Sequence, residues 1–313
     1  MKVIIVGGGG REHALAWKLA QSPEAEEIIC APGNAGTATI GRNVPTSAED
    51  IEGIVTLAKA EGAGLVVIGP EAPLAMGLAD RLEAEGITAF GPKKGAARLE
   101  ASKAFSKELM QEAGIPTAAF GVFENPDEAK SFVRQRGGGW AVKADGLAAG
   151  KGVLICPDPA SAELAISEIM ENRAFGEAGE RCVVEEFLEG EEASLLAFVD
   201  GETAVLMPSA QDHKPIGEGD TGPNTGGMGA YSPAPVMTPE LEARAMREVI
   251  EPTVRALAKL GTPYKGILYA GLMIKDGDFK VLEFNCRFGD PECQPLLMRM
   301  DSDLLPVLIA CAT

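Results

Sequence analysis

Val281-Leu282-Glu283-Phe284-Asn285-Cys286-Arg287 reads as the end of a β-strand, and its order of side chains narrows the fold more than any other stretch of the chain. Strand side chains alternate between two faces. Regular alternation puts Val281, Glu283, Asn285 and Arg287 on one face and Leu282, Phe284 and Cys286 on the other. The second set is apolar and suits a core. The first aligns a carboxylate, an amide oxygen and a guanidinium. Such oxygens suit a hard cation such as Mg²⁺, and a guanidinium suits a phosphate. A cation beside an arginine is what a transferring phosphoryl group requires. The same residues also read as an edge strand with a solvated polar face.

Further segments bear on that choice. Gly7-Gly8-Gly9-Gly10-Arg11 joins a strand to a helix, where backbone amides can meet an anion. The dinucleotide pattern G-x-G-x-x-G fails, because its last position falls on Glu12 or His13. A smaller phosphate ester is therefore favoured over NAD, with a plain βα turn as the other reading. Lys143-Ala144-Asp145-Gly146-Leu147-Ala148-Ala149-Gly150-Lys151-Gly152 lacks P-loop spacing and runs from strand to strand. It reads as a flap that can fold over a triphosphate, or as a surface hairpin with solvated lysines. Glu185-Glu186-Phe187-Leu188, followed by Glu192, can read an adenine edge and hold ribose hydroxyls. An acidic edge strand is the simpler reading of it. Asp212-His213-Lys214 and Pro223-Asn224-Thr225-Gly226-Gly227-Met228-Gly229 suit close backbone contact with a ligand, or form an Ω-type surface loop. His213 has no partner at metal-ligand spacing and reads as structural.

Residues 1–100 alternate strand and helix. Val3–Val6, Ile28–Cys30, Leu65–Ile68 and Ile87–Phe90 read as buried strands, and Glu12–Gln21, Ala48–Glu61 and Leu74–Glu85 as helices. That pattern predicts a parallel sheet covered on both faces, with a ligand crevice beyond the strands' carboxyl ends. Ser102 can cap a helix over Lys103–Ala113 that Gly114 ends. A small α+β unit follows, with strands at Ala119–Phe123, Trp140–Lys143, Val153–Cys156 and Arg181–Glu186, and helices at Pro126–Arg136 and Ser161–Asn172. Next come a β-rich stretch (Ala193–Pro208), a Gly-rich loop (Ile216–Tyr231) and a helix (Pro239–Leu260). A hairpin then pairs Ile267–Ile274 with Phe279–Asn285 across Asp276-Gly277. Asp303–Ala312 forms a last apolar helix.

The 313 residues suffice for two domains or one large one, and 46% are apolar. A net charge of −18 argues against nucleic acid or an anionic membrane as the main partner. Lys103, Lys143, Lys151, Lys214 and Arg287 sit beside Gly-rich or strand-end segments, so a small basic pocket in an acidic shell is expected. The six cysteines form no C-x-x-C pair, which predicts reduced, buried thiols and no zinc site. No run is long enough to span a bilayer, and the N-terminus lacks a signal-peptide pattern. A cytoplasmic protein is expected, as a monomer or weak homodimer.

Two lysine-bearing segments, a Gly-rich hairpin, an acidic strand end and a closing Glu-x-Asn-x-Arg strand, in that order, resemble the ATP-grasp ligases. More narrowly, the chain is similar to the phosphoribosylamine–glycine ligase family. Matching segments are Gly9–Ala14, Ala31–Gly36, Gly69–Leu74, Lys143–Gly152, Ser209–Lys214, Thr221–Tyr231 and Glu283–Glu292. The resemblance implies an α/β N-terminal parallel-sheet domain over 1–101, then an α+β ATP-grasp domain over 102–313 with a small lid subdomain spanning 117–188. It implies that ATP, glycine and 5-phosphoribosylamine give glycinamide ribonucleotide, ADP and phosphate, in purine synthesis. Lys103 and Lys143 would contact the nucleotide's phosphates, with the flap of Gly150, Lys151 and Gly152 closing above them, and Lys214 would bind ATP and line the pocket for the other substrates. Glu185, Glu186, Phe187, Leu188 and Glu192 would hold adenosine. Glu283 and Asn285 would ligate Mg²⁺ or Mn²⁺, and Arg287, Lys143 and Asp212 would act on the reacting groups. Gly8, Gly9, Gly10, Arg11, Asp212, Asn224, Thr225, Gly226, Gly227, Met228, Gly229, Gly289 and Asp290 would bind the other substrates.

The chain departs from the pattern at three places. Ala270-Gly271-Leu272-Met273 stands where many ATP-grasp enzymes outside this family carry another metal-binding carboxylate. Pro215 follows Lys214 where the family often has a basic residue. Thr313 ends the chain where family members continue into a further C-terminal domain, so that domain is expected to be missing. Another ATP-grasp carboxylate–amine ligase, or an ATP-binding fragment without turnover, are the alternatives.

Overall fold

Val3, Ile4, Ile5 and Val6 are all fully buried, as a strand covered on both faces requires. They belong to β1 (Lys2–Gly7) of a computed structural model that describes residues 1–147, 152–219 and 221–313. Helix α1 (Gly10–Leu19), β2 (Glu27–Pro32), β3 (Arg42–Asn43), α2 (Ile51–Glu61), β4 (Leu65–Ile68), α3 (Glu71–Met76), α4 (Leu78–Ala84) and β5 (Ala89–Phe90) complete the first unit. Its sheet is parallel, in the order β3-β2-β1-β4-β5. The chain goes from β1 to one side and then to the other, which opens a crevice beyond the carboxyl end of β1. The expected single helix over Leu74–Glu85 is two helices: Gly77 has φ +97°, a left-handed conformation that ends α3. Helices α5 (Lys94–Ala101) and α6 (Lys103–Ala113) lead out of this unit. Ser102 caps α6, its hydroxyl accepting from the Phe105 amide at 3.1 Å.

The next unit contains β6 (Phe120–Phe123), α7 (Pro126–Arg136), β7 (Trp140–Ala144), β8 (Val153–Cys156), α8 (Pro159–Ile166) and β9 (Cys182–Glu186). Its antiparallel sheet has the order β6-β9-β7-β8. Period-two alternation divides its faces. Trp140, Val142, Cys156, Cys182 and Val184 pack with residues of α7 and α8 in a separate core. Ala141, Lys143, Val153, Ile155 and Glu185 face a cleft instead.

Beyond the cleft lies a third sheet, order β11-β10-β16-β17, built from β10 (Glu191–Asp200), β11 (Ala204–Leu206), β16 (Lys265–Lys275) and β17 (Asp278–Asn285). Between β11 and β16 run the short strands β12 (Gln211–Asp212), β13 (Pro215–Gly217), β14 (Thr221–Asn224) and β15 (Ala230–Tyr231), then α9 (Pro239–Ala245) and α10 (Glu251–Lys259). A π-helical turn over Met246–Ile250 joins the two helices, so Pro239–Leu260 is helical throughout most of its length. After β17 come α11 (Cys293–Met298) and α12 (Leu304–Ala312). The third sheet is buried on both faces. Leu195, Ala197 and Val199 enter one core with residues of α6, α9 and α10, while Leu196 and Phe198 enter another with β1, α1 and α12. Sequence patterning did not reveal β3, α5, α11 or the short strands inside the Gly-rich loop.

The regular alternation expected across Val281–Arg287 is interrupted. Gly271 pairs with Glu283, but Leu272 pairs with Val281, so Leu282 is the extra residue of a β-bulge. The bulge reverses the phase of the strand. Val281 therefore shares a core with Phe284 and Cys286, whereas Leu282 lines the cleft beside Glu283. Glu283, Asn285 and Arg287 keep their common face. Val281→Ala should lower unfolding free energy by about 2 kcal/mol, as expected for truncating a buried aliphatic group. Leu282→Ala should cost less stability, because Leu282 lies outside that core; urea melts of the two variants measure the difference.

Candidate active site

Glu283 is the centre of the cleft between the second and third sheets. Burial opposes its charge, yet Lys214, Lys143, Lys103 and Arg287 hold its carboxyl below the usual range. These partners come from separate parts of the chain. Lys103 opens α6, Lys143 lies on β7, Lys214 follows β12, and Arg287 lies just beyond β17. They line one cavity of about 270 Å³ with Asn285, Thr225, Gly226 and Gly152. A second, more apolar slot of about 560 Å³ adjoins it, sharing Lys143, Glu185, Lys214, Leu282 and Glu283. Ala141, Ile155, Phe187, Leu188, Leu272 and Met273 line that slot, with Glu186, Glu192 and Asp212 at its polar edge.

Each cation is tethered. Lys103 Nζ donates to the Gly146 carbonyl at 3.0 Å, and burial lowers its pKa. Lys143 Nζ stands 2.9 Å from Glu185 Oε1 and donates to the Leu282 carbonyl at 3.4 Å. Arg287 is gripped by carboxylates: Nη2 lies 3.0 Å from Glu100 Oε1, and Nε lies 3.4 Å from Glu71 Oε2. Its Nη2 also donates to Asn285 Oδ1 at 3.1 Å, orienting the amide oxygen. Lys214 Nζ lies 3.6 Å from Glu192 and 3.9 Å from Asp212. Burial works against its charge, but Glu283, Asp212, Glu192 and Glu292 together raise its pKa.

The pocket is not the simple basic one expected from sequence. Among the described residues, the smaller cavity is lined by Lys103, Lys107, Lys143, Lys214 and Arg287, and by six carboxylates: Glu71, Glu100, Glu185, Glu283, Asp290 and Glu292. Charge there is near balance, so a polyphosphate entering it needs further positive charge. Glu283 and Asn285 fit a divalent cation chemically. They offer hard oxygen donors, one of them ionised, and a Mg²⁺-type ion completes its shell with phosphate oxygens and water.

Several expected contacts differ in detail. Glu185 is 2% exposed, and its carboxylate, on the wall of the apolar slot, is already engaged by Lys143 and Lys107. Gly8, Gly9 and Gly10 are exposed beside the cleft, but the loop is already engaged. The Gly9 amide donates to Glu12 Oε2 at 2.6 Å, the Arg11 amide donates to Asp290 Oδ2 at 3.2 Å, and the Arg11 side chain is buried on Glu12. Of the Gly-rich loop, Thr225 and Gly226 reach the cavity. Gly227 packs on Pro291, with φ +117° and room for no Cβ, and Met228 points to solvent. Gly229 accepts from the His213 amide at 3.2 Å, and Gly289 packs closely on Glu292. Gly150, Lys151 and the Asn224 side chain lie outside the described residues.

Sequence reasoning missed Lys107, Glu71, Glu100, Tyr269 and Glu292. The Tyr269 hydroxyl donates to Glu292 Oε1 at 2.6 Å and lies 2.7 Å from Ser194 Oγ, forming a buried polar floor. For Lys107 a signal existed, since it lies one helical turn after Lys103 on the same face. The partners of Arg287 are distant in sequence and left no pattern. All six cysteines are buried and unpaired. No helix among the described residues is long and apolar enough to cross a membrane.

A nucleotide-sized cleft between two antiparallel sheets, with lysines above and a carboxylate–amide–guanidinium strand below, defines an ATP-grasp fold. The chain belongs to the phosphoribosylglycinamide synthetase family: the model of that family's N domain matches residues 1–100, and the model of its ATP-grasp (A) domain matches residues 101–293. It is 57% identical over 313 residues to phosphoribosylamine–glycine ligase of Allochromatium vinosum, covering 99% of this chain and 73% of that protein. The Brucella melitensis ligase is 56% identical over 310 residues, covering 99% and 72%. The crystal structure of the Thermotoga maritima ligase superposes with a TM-score of 0.84 at 37% identity, covering 95% of this chain and 72% of that one. A biotin carboxylase domain of Hydrogenobacter thermophilus shares the fold, with a TM-score of 0.76 at 19% identity, covering 99% and 69%.

Burial pushes the Asp212 carboxyl up to about 6; Lys214 opposes this, and Glu292 and Glu192 add to it. The folded form thus keeps a proton that the unfolded chain releases near pH 4. Its stabilising contribution is full below about pH 4 and is lost as pH rises through about 6. Asp212→Asn should therefore be more stable than the parent at pH 7, by up to about 3 kcal/mol, with no difference near pH 4. Urea denaturation at the two pH values checks this.

Proposed function

We propose that this chain joins glycine to 5-phosphoribosylamine at the expense of ATP, giving glycinamide ribonucleotide, ADP and phosphate in purine synthesis. The observation that carries this reading is the convergence of Glu283, Asn285 and Arg287 with Lys103, Lys143 and Lys214 on one cavity, in a member of this family. The apolar slot suits an adenine ring, and the strand end at Glu186, Phe187 and Leu188 supplies backbone groups to its edge. Glu192 is poised for ribose hydroxyls. The phosphate tail then runs to Lys103, Lys143 and Gly152. Residues 1–101 act as the N-terminal domain and 102–313 as the ATP-grasp domain, with 117–188 as the lid over its cleft.

In the first step, a carboxylate oxygen of glycine attacks the γ-phosphorus, the bond to ADP breaks, and glycyl phosphate forms. Arg287 faces the transferred group, and Lys214 and Lys143 offset charge on its oxygens. In the second step, the amine of phosphoribosylamine attacks the acyl carbon, phosphate leaves, and the amine loses a proton. Asp212, a stronger base than an ordinary carboxylate because burial raises its pKa, is placed to take that proton. Glu283 and Asn285 would hold a divalent cation, Mg²⁺ or Mn²⁺, which would supply the positive charge that the balanced cavity lacks. Thr225, Gly226 and Asp290 line the side of the cavity next to the Gly8–Arg11 loop, which suits the sugar phosphate. The buried thiols suit a reducing compartment, and we place the protein in the cytoplasm.

ADP release by the purified chain should require both glycine and phosphoribosylamine. Release that proceeds equally without glycine would sink the assignment. Glu283→Gln should lower turnover by about a hundredfold or more, with ADP affinity changed by less than about tenfold, because charge stabilisation matters most in the transition state. Steady-state rates and calorimetry supply the two numbers.

A further inference from the structure

We propose that Lys107 is a positioning residue for nucleotide binding: by occupying one oxygen of Glu185, it leaves the Lys143 ammonium available to the phosphates. The inference rests on the nucleotide-binding part of the function above. Lys107 is among the largest fully buried side chains of the molecule. Its Nζ lies 2.7 Å from Glu185 Oε2 and donates to Thr117 Oγ1 at 2.7 Å. The Thr117 hydroxyl donates in turn to the Val281 carbonyl at 2.7 Å, immediately before the bulge. Lys107 is thereby fixed to the strand that carries Glu283.

The other oxygen of Glu185 is in a different state. Lys143 Nζ is 2.9 Å away, yet no donor is aligned for a hydrogen bond to Glu185 Oε1. Lys143 is held near Glu185 by charge, without a directed bond. One buried carboxylate facing one lysine would make a closed pair with no field left over. Two lysines around one carboxylate leave a net positive charge, and the lysine nearer the adenine slot is Lys143. Without Lys107, Glu185 would draw Lys143 onto itself, and the phosphates would compete with a buried carboxylate for that ammonium.

Calorimetry with ADP and Mg²⁺ on the whole chain tests this with four proteins: the parent, Lys107→Met, Glu185→Gln, and the double variant. Lys107→Met should weaken ADP binding about tenfold. In the Glu185→Gln background the same change should alter affinity by less than about twofold, because no carboxylate remains to capture Lys143. A role in packing alone predicts equal losses in both backgrounds, and that result would overturn the proposal, as would unchanged affinity of Lys107→Met. Should Lys107→Met not fold, the Glu185→Gln and double variants decide: equal affinities support the proposal, and a loss in the double overturns it. A parent chain that fails to bind ADP sinks the functional reading instead.

Discussion

A carboxylate whose charge is favoured by four cations lies at the working part of this molecule. Glu283 could not stay charged away from water without compensation, and its compensation comes from α6, β7, the segment after β12, and the end of β17. Elements distant in sequence thus bring their charges to one carboxylate. The cleft is accordingly a structural junction as well as a binding site. The near balance of charge explains why it suits a nucleotide accompanied by a cation.

Much of the architecture was legible because strong periodicity leaves few choices. Val3–Val6 and Leu65–Ile68 are continuous apolar runs, each followed by a glycine, and they are the central strands of the parallel sheet. Ser102 and Gly114 bracket α6 as cap and stop signals do. The hairpin across Asp276-Gly277 was equally plain, both residues having positive φ. The bulge at Leu282 was not legible. Both Val281 and Leu282 are aliphatic, so hydrophobicity alone assigns either to a core, and only the register against Gly271 and Leu272 tells them apart.

The site was legible to the extent that its residues are local in sequence. Glu283, Asn285 and Arg287 are two apart along the end of β17 and the residues just past it, and they line one cavity together. What surrounds them is assembled over long distances: Glu71 and Glu100 reach Arg287 from the first unit and α5. Lys107 reaches Glu185 from α6. Such pairings follow from topology, and no single stretch of sequence encodes them. The Gly8–Arg11 loop shows the reverse case. It reads as a free anion site, but a local contact from Glu12 and a tertiary one from Asp290 already use two of its amides.

The cores divide the molecule unevenly. The parallel sheet and the third sheet share one hydrophobic cluster in which Val3, Ile5 and Leu15 pack with Phe198, Ile267 and Leu304. The sheet of β6–β9 has a cluster wholly its own, built around Trp140, Val142 and Ile166. A body with a private interior, entered and left by one chain crossing each, can tilt or open without exposing the interior of its neighbour. It can also be exchanged between related proteins as a module, whereas the other two sheets must diverge in step, because each supplies half of the other's interior.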